Sequence, residues 1–223
     1  MKSRAGRSTL SENKDRAGND VHLLDRLTIR LFHDERQKQF SGDHARSLGW
    51  NSTESQFLRF KTIANALSFE NKRVLDLGCG YGDLKTFLDM SCRVKSYVGI
   101  DQQSSFIKQA KKQFEQQGNC EFIKGDFSSG KLPNADIVVA SGSLNYRARN
   151  KTYHAKVIRD MYEKAEEAAI FNLLDSKYVK NGRLLEAHDP EQVLNYCLSF
   201  CPNSQLIKDY SDEDFTIVMR KKF

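Results

Sequence analysis

The run Val74–Leu84 constrains the fold of this 223-residue chain more than any other part of the sequence. Residues 74–77 are apolar apart from Asp76, and glycines then occupy positions 78, 80 and 82. Glycine turns the backbone tightly with positive φ, and it lets a ligand approach the main chain where a Cβ atom would clash. The run therefore predicts a buried strand, a tight turn and a helix, with a ligand bound at the turn.

Downstream of this run, apolar strand-like segments alternate with amphipathic helical ones. We expect strands at 73–77, 97–100, 121–124, 136–140 and 169–174, and helices at 82–90, 106–114 and 157–165. This alternation predicts a Rossmann-like, doubly wound α/β sheet, in which the apolar run 136–140 is a central strand. Segments 205–208 and 215–219, joined by a polar turn, predict a closing hairpin.

The first third of the chain is predicted to lie outside the sheet. Residues 1–20 lack apolar periodicity and are expected to be a mobile tail, whereas residues 21–69 are expected to form an N-terminal helical cap. Residues 70–223 then form the ligand-binding domain. Within the cap, Ser52 or Thr53 is a suitable N-cap for a helix, and we expect segment 49–60 to fold over the bound ligand.

Charge and composition limit the expected partners and location. The net charge is +6, but much of the excess lies at the termini and no Arg-rich stripe with interleaved aromatic residues occurs, so a nucleic-acid partner is not expected. No stretch approaches the ~20 apolar residues that span a bilayer, and the first 20 residues lack the apolar run of a secretory signal. With five irregularly spaced cysteines, these features predict a cytoplasmic protein with reduced thiols and no membrane partner.

Two cofactor classes compete for the glycine turn. An acidic residue, Asp101, ends the second predicted strand, where a carboxylate can accept both hydroxyl hydrogens of a ribose. The dinucleotide fingerprint requires G-x-G-x-x-G, whereas this chain has G-x-G-x-G followed by Asp83, whose charge would repel a pyrophosphate at the helix start. S-adenosylmethionine has no phosphate and is favoured, although a tight turn in a ligand-free domain is a further explanation.

With these motifs, residues 70–223 resemble the class I S-adenosylmethionine-dependent methyltransferases. The resemblance implies a seven-stranded sheet with its last strand antiparallel, and S-adenosyl-L-methionine as cofactor. Asp76 and the glycine turn would hold the methionine part, and Asp101 the ribose. Asp126 would accept from the adenine amino group beside Phe127. The expected cofactor-binding residues are Asp76, Gly78, Gly80, Gly82, Asp101, Gln102, Asp126, Phe127 and Ser141, together with Arg59 of the cap as a partner for the cofactor's carboxylate.

The exit of the fourth strand, residues 140–146, should line the gap between the sulfonium and the methyl acceptor. Asn145 and Tyr146 are our candidate catalytic residues. Methyltransferases that act on adenine or amide nitrogens have two prolines in this segment, and the chain has none there. We therefore expect an N or O atom of a small molecule as acceptor. A base is optional, because alignment and desolvation supply much of the acceleration.

The histidines show no metal-ligand spacing, so we expect no metal ligand and activity that survives chelation. They are His22, His33, His44, His154 and His188. Three other functions remain open: methylation of RNA or protein, a reaction that uses the cofactor without methylation, such as cyclisation of its aminobutyrate arm, and ligand binding without catalysis.

Overall fold

The computed structural model describes residues 10–129 and 132–221. Its helices are α1 (Leu10–Gln39), α2 (His44–Ser47), α3 (Thr53–Ala66), α4 (Asp83–Asp89), α5 (Ser104–Gln113), α6 (Tyr153–Lys164) and α7 (Pro190–Leu198). Its strands are β1 (Arg73–Leu77), β2 (Ser96–Asp101), β3 (Cys120–Lys124), β4 (Ala135–Ala140), β5 (Ala165–Asp175), β6 (Ala187–His188), β7 (Ser204–Ile207) and β8 (Asp214–Arg220).

These strands form one sheet in the order β3-β2-β1-β4-β5-β8-β7, and the short β6 pairs with the end of β5. Strands β1 to β5 are mutually parallel, whereas β8 runs antiparallel to both β5 and β7. The predicted α/β sheet with an antiparallel last strand is confirmed, and β6 adds a strand to the seven expected. The strand order reverses between β1 and β4, and ligands bind at such a switch point in open α/β sheets.

The core occupies both faces of the sheet. Leu75 and Val138 belong to one buried cluster, which also contains side chains of α6 and α7. Val74 and Ile137 belong to a second, which contains side chains of α3, α4 and α5. Because successive side chains of a strand point to opposite faces, the central strands need continuous apolar runs. The run at 136–140 was predictable for this reason.

The first helix starts earlier than the sequence predicted. Helix α1 begins at Leu10 instead of near Val21, so residues 10–20 of the expected mobile tail are helical. Leucine, glutamate, lysine, arginine and alanine in this stretch favour a helix, which can extend without an apolar face of its own. Residues 1–9 of the expected tail lie outside the described residues, and the division into tail, cap and sheet domain stays a prediction.

Helix α3 begins where its capping residues predicted. The Ser52 side chain accepts from Ser55 N at 3.2 Å, and Ser55 Oγ accepts from Ser52 N at 3.4 Å, a reciprocal capping box. The helix buries Phe60 and Ile63, and it packs against α4, β5 and β8. None of the helices in the described part of the chain combines the length and apolar character needed to cross a membrane.

Candidate active site

A cavity of about 310 Å³ lies where the carboxyl ends of β1, β2 and β4 meet the N-terminal helices. This volume is at the lower end of the range for small-molecule sites. Eleven of the twelve residues that the sequence singled out line it: Arg59, Asp76, Gly78, Gly80, Asp101, Gln102, Asp126, Phe127, Ser141, Asn145 and Tyr146. The fold therefore collects residues from the cap and from four strand ends around one cavity.

The glycine turn has the positive φ angles that its sequence predicted. Gly78 has φ 79° and Gly80 has φ 55°. A Cβ atom on Gly78 would lie 2.2 Å from Ser143 Cβ, and one on Gly80 would lie 2.7 Å from Leu48 Cδ2. Glycine is required at these positions for two reasons. The turn needs positive φ angles, and the β4 exit and the cap pack directly on the main chain.

Gly82, the twelfth residue, lies outside the cavity lining. It has φ 84° and forms the N-cap of α4, and a Cβ atom there would meet the rings of Phe114 and Phe122 at 2.7 to 3.0 Å. The structure therefore gives Gly82 a packing role, and its contact with the cofactor stays a prediction. The next residue, Asp83, lines the cavity instead.

Asp101 is fixed at the end of β2 by two backbone donors. Gly80 N donates to Oδ2 at 3.0 Å and Gln103 N donates to Oδ1 at 2.7 Å. An ionised carboxylate offers about four acceptor sites, so both oxygens keep capacity for a ligand's hydroxyl groups. Burial raises the pKa of Asp101 to about 6, and the two backbone donors oppose that rise.

Two more carboxyl groups, the buried Asp76 and the half-buried Asp83, share the cavity wall with Asp101. Burial raises the pKa of Asp76 to about 7, although the Tyr97 hydroxyl donates to this carboxyl group; the charges of Asp101 and Asp83 add to the rise. Burial also raises the pKa of Asp83, which accepts from Gln56 Nε2 at 3.0 Å. Because each charge disfavours the others, a cationic ligand would relieve their repulsion. In the sequence, the charge of Asp83 indicated only that a pyrophosphate would be repelled. Nothing there indicated that Asp83 lines the cavity.

Asp126 lies at the opposite side of the glycine turn from the β4 exit, after β3. Its Oδ1 accepts from Ser128 N at 2.9 Å and from Ser128 Oγ at 2.6 Å. Arg26 Nη1 of α1 lies 3.6 Å from Oδ2, and both Asp126 and Phe127 line the cavity. The residue is therefore held in the wall by local bonds, and its contact with an adenine amino group stays a prediction.

Arg59 is engaged by a partner that the sequence did not indicate. Its Nε donates to Asp214 Oδ1 at 3.0 Å, its Nη2 pairs with Oδ2, and its Nη1 donates to Ser55 O at 2.7 Å. Both charged side chains are buried, and the guanidinium lies 4.5 Å from the centroid of the Trp50 ring. Asp214 thus occupies the bidentate face of Arg59. A bond to a cofactor carboxylate would have to use the remaining Nη hydrogens.

The β4 exit is held in place by side chains and backbone of β5. Gly142 N donates to Asn172 Oδ1 at 2.8 Å, and Asn172 Nδ2 donates to Ser141 Oγ at 3.2 Å. The Asn145 Oδ1 accepts from Leu174 N at 3.2 Å. These bonds present Ser141 and Asn145 to the cavity on a rigid segment.

Tyr146 forms a buried pair with His33 of α1, and sequence analysis missed this histidine. Its hydroxyl oxygen lies 2.8 Å from His33 Nε2, and His33 Nδ1 lies 3.4 Å from Ser47 O. Because Nδ1 faces a carbonyl, we assign the proton to Nδ1, and Tyr146 then donates to Nε2. Burial lowers the pKa of His33 to about 4 and raises that of Tyr146, so both side chains are neutral near pH 7.

Comparison with known proteins identifies the family of the chain. The model of a methyltransferase domain family matches residues 74–166. A Mycobacterium tuberculosis protein that is named as a methyltransferase is 31% identical over 156 residues, which cover 66% of this chain and 91% of that protein. The chain belongs to the class I S-adenosylmethionine-dependent methyltransferases.

Two further similarities concern the sequence and the fold. A fatty-acid O-methyltransferase of Mycolicibacterium smegmatis is 29% identical over 102 residues, 45% of this chain and 37% of that enzyme. The magnesium protoporphyrin IX methyltransferase of Synechocystis, solved with bound S-adenosylhomocysteine, superposes with a TM-score of 0.66 at 12% identity, over 90% of this chain and 100% of that one. The second likeness shows the shared fold. The methyltransferase family uses S-adenosylmethionine as its cofactor.

Proposed function

We propose that this methyltransferase transfers the methyl group of S-adenosylmethionine to an N or O atom of a small, largely apolar molecule. The partly open cavity and its apolar lining are the observation that carries the proposal. Its apolar lining includes Ile29, Leu48, Trp50, Leu174, Val179 and Leu185, from the cap on one side and from the region after β5 on the other. The small-molecule names of the fatty-acid and protoporphyrin methyltransferases support the same acceptor class.

In this proposal the carboxyl groups hold the cofactor. Asp101 accepts from the ribose hydroxyls, and Asp126 accepts from the adenine amino group. Asp76 and Asp83 face the positively charged methionine part, which carries both an ammonium and a sulfonium. Leu48 lies close to Gly80, and Ser143 lies close to Gly78. The main chain of the turn therefore forms one wall of the part of the cavity that holds the cofactor.

Methyl transfer requires an acceptor lone pair in line with the bond between the methyl carbon and sulfur. Because the Tyr146 hydroxyl donates its hydrogen to His33, its oxygen is free to accept from an N–H or O–H group of the substrate. When bound, S-adenosylmethionine would supply a methyl group that its sulfonium activates for in-line displacement. The Tyr146 oxygen would accept a hydrogen bond from the acceptor and so orient it. The proton that the acceptor loses would pass to this oxygen as the hydroxyl's own proton moves to His33 Nε2.

The test uses purified protein, methyl-labelled S-adenosylmethionine and a panel of small amines, phenols and carboxylic acids. Transfer of label to one of them would support the proposal. Label in added RNA or protein, or consumption of cofactor without any acceptor, would contradict it and favour one of the other functions.

We expect Tyr146→Phe to lower kcat by roughly tenfold to a thousandfold, with unchanged S-adenosylhomocysteine affinity. Tyr178→Phe is the matched control, because Tyr178 is exposed.

A further inference from the structure

Three potential metal ligands meet behind the acceptor side of the cavity. They are His154 in the first turn of α6, Glu186 just before β6, and His188 at the end of β6, and their ligand atoms all lie within 4.8 Å of one another. The two imidazole rings have centroids 4.6 Å apart. In sequence, His154 is far from the other two, so no metal spacing was visible.

We propose that His154, Glu186 and His188 bind one divalent transition-metal ion, with Zn²⁺ as the best match. This inference replaces the sequence expectation that no histidine is a metal ligand, and it does not depend on the acceptor proposed above. Two imidazoles and a carboxylate form a donor set that suits Zn²⁺, and three protein ligands leave one position for water.

Two orphaned nitrogens point to a missing ligand. The Nε2 atoms of His154 and His188 are buried and are the only such side-chain atoms without a hydrogen-bond partner in the described residues. A buried polar atom without a partner costs about 1 to 3 kcal/mol. Both atoms belong to the same cluster, so one ion between them would satisfy both.

The spacing of the cluster can be compared with that of a zinc site. Ligands of tetrahedral Zn²⁺ lie about 3.4 Å apart, since each bond is near 2.1 Å. The ligand atoms of the cluster lie within 4.8 Å of one another, so the three side chains would move closer together on binding the ion.

An ion bound by this cluster would restrict the motion of residues 184–188, which lie next to the β4 exit at the outer wall of the cavity. Glu186 N donates to Asn145 O at 2.9 Å, and Arg147 N donates to Leu184 O at 2.8 Å. Leu185 pairs with Tyr146 across an isolated bridge and lines the cavity. Metal binding would join α6 to this segment, and so position the residues on the acceptor side without taking part in methyl transfer.

The experiment measures metal binding directly. Purified full-length protein is stripped with a chelator and titrated calorimetrically with Zn²⁺, and then with Co²⁺, whose visible absorption reports the ligand geometry. We expect one ion per chain, an intense tetrahedral-type Co²⁺ spectrum and a higher unfolding temperature with metal. His188→Ala and Glu186→Gln should each weaken binding by at least about tenfold. The conservative Glu186→Gln variant keeps the side-chain volume, so it should fold even where an alanine variant does not.

His44→Ala is the matched control, because His44 is an exposed histidine on α2, outside the cluster. It should bind Zn²⁺ as the wild type does. The proposal is overturned if the stripped protein binds no stoichiometric Zn²⁺. Equal affinity in the wild type, His188→Ala and Glu186→Gln would also overturn it, since the ion would then sit elsewhere. S-adenosylhomocysteine affinity serves as a fold check that is independent of the metal.

Discussion

The two halves of the active site are assembled in different ways. In the cofactor half, partners lie close in sequence: Gly80 N and Asp101 are 21 residues apart, and Asp101 and Gln103 are two apart. In the acceptor half, Tyr146 bonds to His33 over 113 residues. Where the cap meets the sheet, Arg59 pairs with Asp214 over 155 residues. Local pattern therefore predicts the first half well, whereas the second depends on how distant elements pack. The following experiments test that contrast.

The largest expected effect is on stability, from the long-range pair. Arg59→Ala should lower the free energy of unfolding by about 3 to 5 kcal/mol, because it leaves the buried Asp214 carboxylate without its partner. The double variant Arg59→Met with Asp214→Asn removes both charges and should recover most of this loss. Denaturant unfolding measures both variants.

The same double variant separates structure from cofactor binding. If Arg59 acts mainly by pairing with Asp214, the folded double variant should bind S-adenosylhomocysteine nearly as tightly as the wild type does. A stable double variant with strongly weakened binding would instead restore Arg59 as a ligand of the cofactor's carboxylate.

The next effect falls on the locally assembled half. Asp101→Ala should weaken S-adenosylhomocysteine binding by at least about a hundredfold, because two hydrogen bonds to a charged acceptor are worth roughly 3 kcal/mol or more. Asp101→Asn keeps one acceptor oxygen and should show a smaller loss. Calorimetric titration measures the affinities; unchanged binding in a folded Asp101→Ala protein would remove the ribose assignment.

The pH dependence of stability tests the buried carboxyl groups. The folded-state pKa values of Asp76 and Asp101, about 7 and about 6, are raised above the ordinary value of 3.8. The native state therefore holds protons that the unfolded chain has released, so stability from these groups is present at low pH and is lost as pH rises through 6 to 7. From pH 5.5 to 7.5 the ligand-free protein should lose about 2 kcal/mol.

Thermal unfolding across this range measures the effect. Asp76→Asn should flatten the profile, because the amide does not titrate. A wild-type protein whose stability rises steadily over the same range would contradict the proposed raised pKa values.

The smallest effect concerns the contact between the cap and the β4 exit. A Cβ atom on Gly142, which has φ 74°, would lie 2.2 Å from the Trp50 ring. Gly142→Ala should therefore displace Trp50, cost about 1 to 3 kcal/mol and speed proteolysis between residues 41 and 60. Gly118→Ala is the control, because nothing lies within 4 Å of its Cβ position.

Proteolysis with and without S-adenosylhomocysteine also tests the proposed closure of segment 49–60 over the cofactor. Slower cleavage with ligand would support closure. Equal cleavage rates in both conditions would mean that the segment covers the cavity without responding to the cofactor.

Sequence pattern alone determined the strands of the sheet, the glycine turn and the start of α3, because apolar periodicity and capping residues act within a few residues along the chain. β1 begins and ends as predicted, and Ser52 caps α3. The sequence did not indicate that Gly82 packs against aromatic rings or that Asp83 lines the cavity.

Only the tertiary structure decided which distant side chains meet. It gave Arg59 a buried partner, placed His33 on Tyr146, and gathered His154 with Glu186 and His188. The physical reason is that an ion pair or ligand cluster requires its atoms to lie within a few ångströms. Strand order and helix packing set that distance for residues far apart in sequence, and neither leaves a periodic signal along the chain.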